Sequence, residues 1–245
     1  MTITKSKGIN MKINTLINVS VLPLVLASTL SSAQSLNVEI SNLTQGMYFT
    51  PLLVSAHDSN QHLFQTGSAA STALTAMAEG GDLSALVMAT EALGAINSEN
   101  PAGGLLGPSS TTMVADFDTG TNSYLSITGM MLPTNDGFVG LDAWPIPAEV
   151  GIYTLFLNAY DAGSEVNDER VVDGSGAAGM LGIPANPGGN GGTSGTGVAV
   201  TEPNTNIHIH RGNIGDTDTT GGHSDVDSRI HRWLNPVAKV VVTVK

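Results

Sequence analysis

Residues 36–44, LNVEISNLT, set an apolar side chain at alternate positions. This two-residue period belongs to a strand with one face in a core and the other in water. The pattern recurs along the chain. TTMVADFD (111–118) and SYLSITGMMLP (123–133) are separated by TGTN, which is turn chemistry. GFVGLDAWPI and GIYTLFLNAYD follow as another strand pair, and MYFTPLLVSAHD (47–58) reads as extended segments around Pro51. TNIHIHRG (205–212) and VAKVVVTVK (237–245) read as further strands, the second too apolar to hang free. So many half-buried strands must cover one another's apolar faces, which predicts a mainly β chain built as an antiparallel β-sandwich.

One stretch breaks the pattern. SAASTALTAMAEGGDLSALVMATEALGAIN (68–97) is rich in Ala, Leu and Met at helical spacing. Ala70, Leu74 and Met77 share a face, with Ser68 as the expected cap, and Gly80 and Gly81 end the helix. Asp82 is expected to cap a second helix carrying Leu86, Leu93 and Ile96. The prediction is a short helical hairpin inserted near the start of the sandwich. By contrast, 174–197 holds ten glycines and reads as a long mobile loop without a packed element.

Composition narrows the function. The formal net charge of -12 argues against a nucleic-acid partner and suits a chain that binds cations or basic partners. Only 12% of residues are charged, so the chain as a whole is not disordered. It contains no cysteine, which excludes thiolate metal sites, cysteine nucleophiles and disulfides. Near the N-terminus, MKINTLINVSVLPLVLASTLSSAQS begins at Met11 with a positive charge. An apolar run and small residues follow, ending at Ala33. This is the pattern of a secretory signal, so 1–33 reads as a signal peptide with an N-terminal extension and 34–245 as one exported domain, periplasmic or secreted. The apolar run is short for a spanning helix and is broken by Pro23, and no later segment is long and apolar enough to span a bilayer.

The candidate sites are acidic or imidazole clusters in loops. LNAYDAGSE ends a strand in Asp161, turns at Gly163 and reaches Glu165, while LPTNDGF places Asp136 between two other strands. Carboxylates that converge at one end of a sheet attract a hard cation, and calcium takes six to eight oxygens from such loops. The alternative is an acidic loop that is simply solvated. In DTDTTGGHSDVD (216–227), Asp216, Asp218, Thr220 and Gly221 occupy positions 1, 3, 5 and 6 of an EF-hand-like loop, with Asp227 at position 12. No Glu stands at 12 and no flanking helices are evident, so the choice is between a calcium loop outside that fold and an Asx-rich turn. His208 and His210 alternate on a strand and share a face; with His57 or His231 they would form a zinc or copper site. Hydrogen-bonding histidines in a polar network are the alternative. No catalytic motif is present, so the chain is read as a non-enzyme.

Three stretches together resemble the spondin N-terminal domain family: GSAASTALTAMAEGGDLSAL, LPTNDGFVGLDAWPI and LNAYDAGSE. The resemblance runs from about residue 36 to 245. It implies a C2-like antiparallel β-sandwich with calcium bound at one end by Asp136, Asp161 and Glu165. It also implies a module for adhesion or ligand binding at the cell envelope or outside the cell, with a protein or glycan as partner. The chain departs from the animal members in Gly137, where they carry Trp, in Glu165, where they carry Asp, and in lacking their cysteines. The rival readings are an envelope copper or zinc protein using His208 and His210, and a hydrolase built from the histidine and acidic loops.

Overall fold

The computed structural model describes residues 33–177 and 179–245; residues 1–32, most of the segment read as an export signal, lie outside it. The elements run β1 (Ser35–Asn42), β2 (Tyr48–Phe49), β3 (Leu53–His57), α1 (Thr72–Gly80), α2 (Ser84–Glu91), β4 (Ile96–Glu99), β5 (Thr111–Asp118) and β6 (Tyr124–Leu132). They continue with β7 (Gly137–Pro145), β8 (Gly151–Asp161), β9 (His208–Ile209) and β10 (Ala238–Val244). The strand pairs are antiparallel, in the order β4-β3-β6-β7-β8-β10-β1-β5, with β2 on β6 and β9 on β8. Mainly β and antiparallel, the architecture is that of a β-sandwich with a helical hairpin inserted after its first strands.

The sheet curls so that one face of both halves meets in a single core. Leu36, Val38 and Ile40 of β1 and Val240 and Val242 of β10 pack in the same cluster as Val54 of β3 and Leu125 and Ile127 of β6. The strict alternation of β1 and β10, buried at every second residue, follows from that single covered face. β6 differs: after Tyr124 all its residues are buried. Its outer face, with Leu53 and Phe138 from the flanking strands, is covered by Leu74, Met77 and Ala78 of α1 and Leu86 and Val87 of α2. The helices therefore act as a lid on the second face of the central strands.

Three sequence expectations change here. The cap of α1 is Ser71, not Ser68: its Oγ accepts the Leu74 N–H at 3.1 Å. The second helix stops at Glu91, so Leu93 is exposed and Ile96 opens β4, paired to Ala56. The strand read at 205–212 is a two-residue pairing at 208–209. The end of α1 is as expected, with Gly81 in the left-handed conformation at φ 72°. Ser71→Ala is expected to cost about 1 kcal/mol, measured by urea denaturation, with no change at the carboxylate cluster described below.

No helix or strand forms across 174–197 among the described residues, but the segment is anchored. Ile183 is fully buried and bridges Val171, and Gly176 approaches α1 so closely that a Cβ at Gly80 would lie 2.2 Å from the Gly176 carbonyl oxygen.

Candidate metal centre

The first pair of β7 with β8 is Gly137 with Asp161, so Asp136 and Asp161 stand side by side at one end of the sheet. The chain then turns at Gly163, at φ 69°, where a Cβ would lie 2.5 Å from the Thr205 carbonyl carbon. Only glycine fits both the left-handed backbone and the contact. The turn brings the N–H groups of Ser164 and Glu165 onto Asp136 Oδ2, at 2.8 and 3.1 Å. Glu165 Oε2 accepts from Gly182 N at 2.9 Å and from Asn135 Nδ2 at 3.2 Å. Asp161 accepts from Gly163 N at 2.8 Å and from Asn167 Nδ2 at 2.7 Å.

Asp136, Asp161 and Glu165 are 0%, 1% and 4% exposed. Among the described residues no lysine or arginine pairs with any of them. Asp136 Oδ1 and Glu165 Oε1 are buried without a hydrogen-bond partner. Burial, then the neighbouring Asp161, pushes the Asp136 carboxyl up to about 7. Burial also raises Asp161 and takes Glu165 to about 7, where Glu79 at the end of α1 and Asp136 add repulsion. Stacked buried carboxyls with orphan oxygens are costly unless protonated or met by a cation.

His208 pairs with Asp161 across β8 and β9, and Nε2 of His208 and of His210 lie 3.8 and 4.0 Å from Asp161 Oδ2. The two rings present opposite faces chemically. His208 Nδ1 donates to the Asn206 carbonyl, which leaves its Nε2 a lone pair in the neutral ring. His210 Nδ1 accepts the Gly212 N–H, so its Nε2 carries the proton. Burial holds His210 down to about 3, so the ring is neutral. The pair cannot jointly offer Nε2 lone pairs to zinc or copper without breaking the Gly212 bond. His57 is not near them. It pairs with Tyr124, which pairs with Pro145 at the far end of β7 from Gly137. That is roughly 26 Å away at 3.3 Å per residue, and both its ring nitrogens are bonded, to Ser126 Oγ and the Asp58 carbonyl. The alternative third member, His231, has its Nδ1 accepting the Asp227 N–H, and among the described residues neither it nor His57 stands with His208 and His210 at ligand spacing.

The loop at 216–227 resolves into self-capping turns. Asp216 accepts the N–H groups of Asp218, His223 and Ser224, and Asp218 accepts the Thr220 N–H. Asp227 is held by Arg229 at 2.6 and 2.9 Å, which keeps its carboxyl down at about 2. Asp136 and Glu165 differ in that each keeps one buried oxygen, Oδ1 and Oε1, without a partner.

Sequence reasoning missed the amides that hold the cluster. Asn135 ties Glu165 to Asp168, and Asn167 ties Asp161 to Glu202. Asn135 directly precedes Asp136 in TND and Asn167 stands two residues after Glu165 in EVNDE, the one signal available.

No curated protein matches this sequence. Comparison with known protein families matches residues 41–167 to Spondin_N. The matched span runs from β1 through the turn that carries Glu165 to Asn167 and contains all three clustered carboxylates. It covers just over half of the 245 residues, and the chain belongs to the Spondin_N family.

Proposed function

We propose that Asp136, Asp161 and Glu165 hold a calcium ion, and that the chain is an exported spondin-type module. Its role is to bind or adhere to a partner at the cell envelope or outside the cell, not to catalyse. One observation carries the calcium reading: two buried carboxylate oxygens, Asp136 Oδ1 and Glu165 Oε1, have no partner at the same end of the sheet. The donors are all hard oxygens, the set calcium prefers. A bound calcium ion supplies the positive charge that this cluster lacks. Among the described residues no three His, Asp or Glu side chains already stand at ligand spacing, so binding requires side chains of the cluster to draw together. The Gly163 turn and the Asn135 and Asn167 amides hold the backbone and the second oxygens in place meanwhile. Export is supported by the N-terminal sequence, with its positive charge, apolar run and small residues before Gln34. No helix among the described residues is long and apolar enough to cross a membrane.

Isothermal titration with calcium tests the site. The expected Kd is about 10⁻⁴–10⁻³ M, the range of extracellular modules. Asp136→Ala and Glu165→Ala should each weaken binding about tenfold or more, while Asp218→Ala leaves it unchanged. Absence of calcium binding up to tens of millimolar, or loss only in Asp218→Ala, would overturn the assignment.

A further inference from the structure

Apart from the carboxylate cluster, one histidine is held ready with nothing in front of it. Asp142, on β7, accepts the backbone N–H of Leu63 at 3.0 Å through Oδ1 and the ring Nδ1 of His62 at 2.6 Å through Oδ2. The carboxylate thus fixes both the 62–64 backbone and the ring. Since Nδ1 must donate to it, the neutral ring presents Nε2 as a lone pair. That nitrogen has no partner among the described residues, and the side chain is 35% exposed.

His62 lines two neighbouring hollows between the 60–65 loop and the helical hairpin, of 330 and 170 Å³, which share His62, Leu63, Gln65 and Ser71. The larger is in the size range of small-molecule sites. In a chain of net charge -12, no Asp, Glu, Lys or Arg lines either hollow among the described residues. A charged ligand would meet no charged side chain in the lining, and the Asp142 carboxylate behind it is already bonded to His62 Nδ1 and the Leu63 N–H. The walls offer carboxamides, hydroxyls and leucine: Asn60, Gln65 and Ser71 beside Leu63 and Leu86. Amides both donate and accept, so they suit adjacent hydroxyl groups, and leucine covers a C–H face.

We infer that this hollow binds a neutral polyhydroxylated ligand, a saccharide unit, with His62 Nε2 accepting from one of its hydroxyls and Asp142 acting as the positioning residue behind the ring. The inference rests on the reading of the chain as a binding module, and it names the ligand class. It is independent of the cation, because none of the lining residues belongs to the carboxylate cluster.

The test is a titration of the 34–245 protein with glucose, galactose, N-acetylglucosamine, maltose and cellobiose, followed through the histidine ring ¹⁵N signals. Glucosamine and glucuronic acid serve as charged counterparts. The expected result is that a neutral sugar moves the His62 Nε2 signal, equally in calcium and in EGTA, and binds better than either charged sugar. His62→Ala should weaken that binding about tenfold, the scale of one good hydrogen bond. Asp142→Asn should weaken it and also change the Nδ1 and Nε2 shifts of His62, a tautomer signature that a packing defect would not give. Ala89→Trp, at an exposed position lining the larger hollow, should block binding while the His62 shifts of the free protein stay unchanged. No response to any neutral sugar at tens of millimolar, tighter binding of a charged one, or loss in EGTA would each overturn the inference. Calcium binding that fails while the sugar response persists would sink the calcium reading alone.

Discussion

In EGTA, the protein is expected to melt at progressively lower temperature as pH rises from 5 to 8, and millimolar calcium at pH 8 should restore the loss. The sign follows from the two carboxyls pushed up to about 7, Asp136 and Glu165. An unfolded Asp or Glu gives up its proton near pH 4. Between about pH 4 and 7 the folded chain therefore keeps protons that the unfolded chain has released, and stability falls as pH rises through that window. At about 1.4 kcal/mol per tenfold change in proton affinity, each carboxyl costs the folded state roughly 3–4 kcal/mol at pH 8. The two are neighbours, so their effects do not add. A loss of that size corresponds to roughly 6–16 °C for a domain of this length. At pH 5 protons satisfy the cluster and calcium should add little. General repulsion in an acidic chain also grows with pH, so Asp136→Asn is the control. It keeps an acceptor for Ser164 and Glu165, flattens the EGTA profile and removes much of the calcium response. A profile that is flat in EGTA, or one that Asp136→Asn leaves as steep as before, would contradict the account.

Phe138→Ala is expected to be the most damaging single substitution near the cluster. The ring is fully buried, meets Phe64 edge-on at 5.1 Å and stacks near Tyr160 at 5.6 Å. Removal of a buried phenyl ring costs about 3–5 kcal/mol. It stands two residues after Asp136, opposite Tyr160 in the β7–β8 pairing, so the cavity opens beneath the site. Guanidinium denaturation should show the stability loss, and calcium titration of the still-folded variant should show weaker affinity. A loss below about 1 kcal/mol would mean that the ring is not the prop described. Phe64→Ala, on the other side of the same contact, should couple with it in a double-mutant cycle.

Strands that bury a single face were legible in the sequence. β5 and β8 begin and end where alternation and turn residues place them, at Thr111–Asp118 and Gly151–Asp161. Alternation fails where both faces are covered: SITGMML in β6 is apolar or small throughout because the helices cover its outer side. β4, of sequence INSE, was hidden because it is short, polar and half-exposed, and is a strand only by pairing with β3. In the cluster, the acids could be read and their neighbourhood could be guessed from strand order. The backbone donors could not. Gly182 N reaches Glu165 from the glycine-rich segment, and nothing in that segment's composition marks it as a partner. The histidines show the opposite limit. Period two places His208 and His210 beside each other and beside Asp161, but which ring nitrogen is taken depends on Asn206 and Gly212 backbone groups.

β10 lies between β8 and β1, with Ala238–Val244 zipped to Gly151–Leu157 on one side and Leu36–Asn42 on the other. Two strands close to opposite ends of the described chain are thus each other's neighbours. Until the second of them arrives, β1 and β8 each present a raw hydrogen-bonding margin, and the barrier to joining such remote segments is high. A chain that emerges N-terminus first from the ribosome would remain pliable for most of its synthesis and harden only when the closing strand emerges. A synthetic peptide of residues 236–245, added to a chain cut short at 235, should be captured in the vacant slot and complete the fold in two pieces.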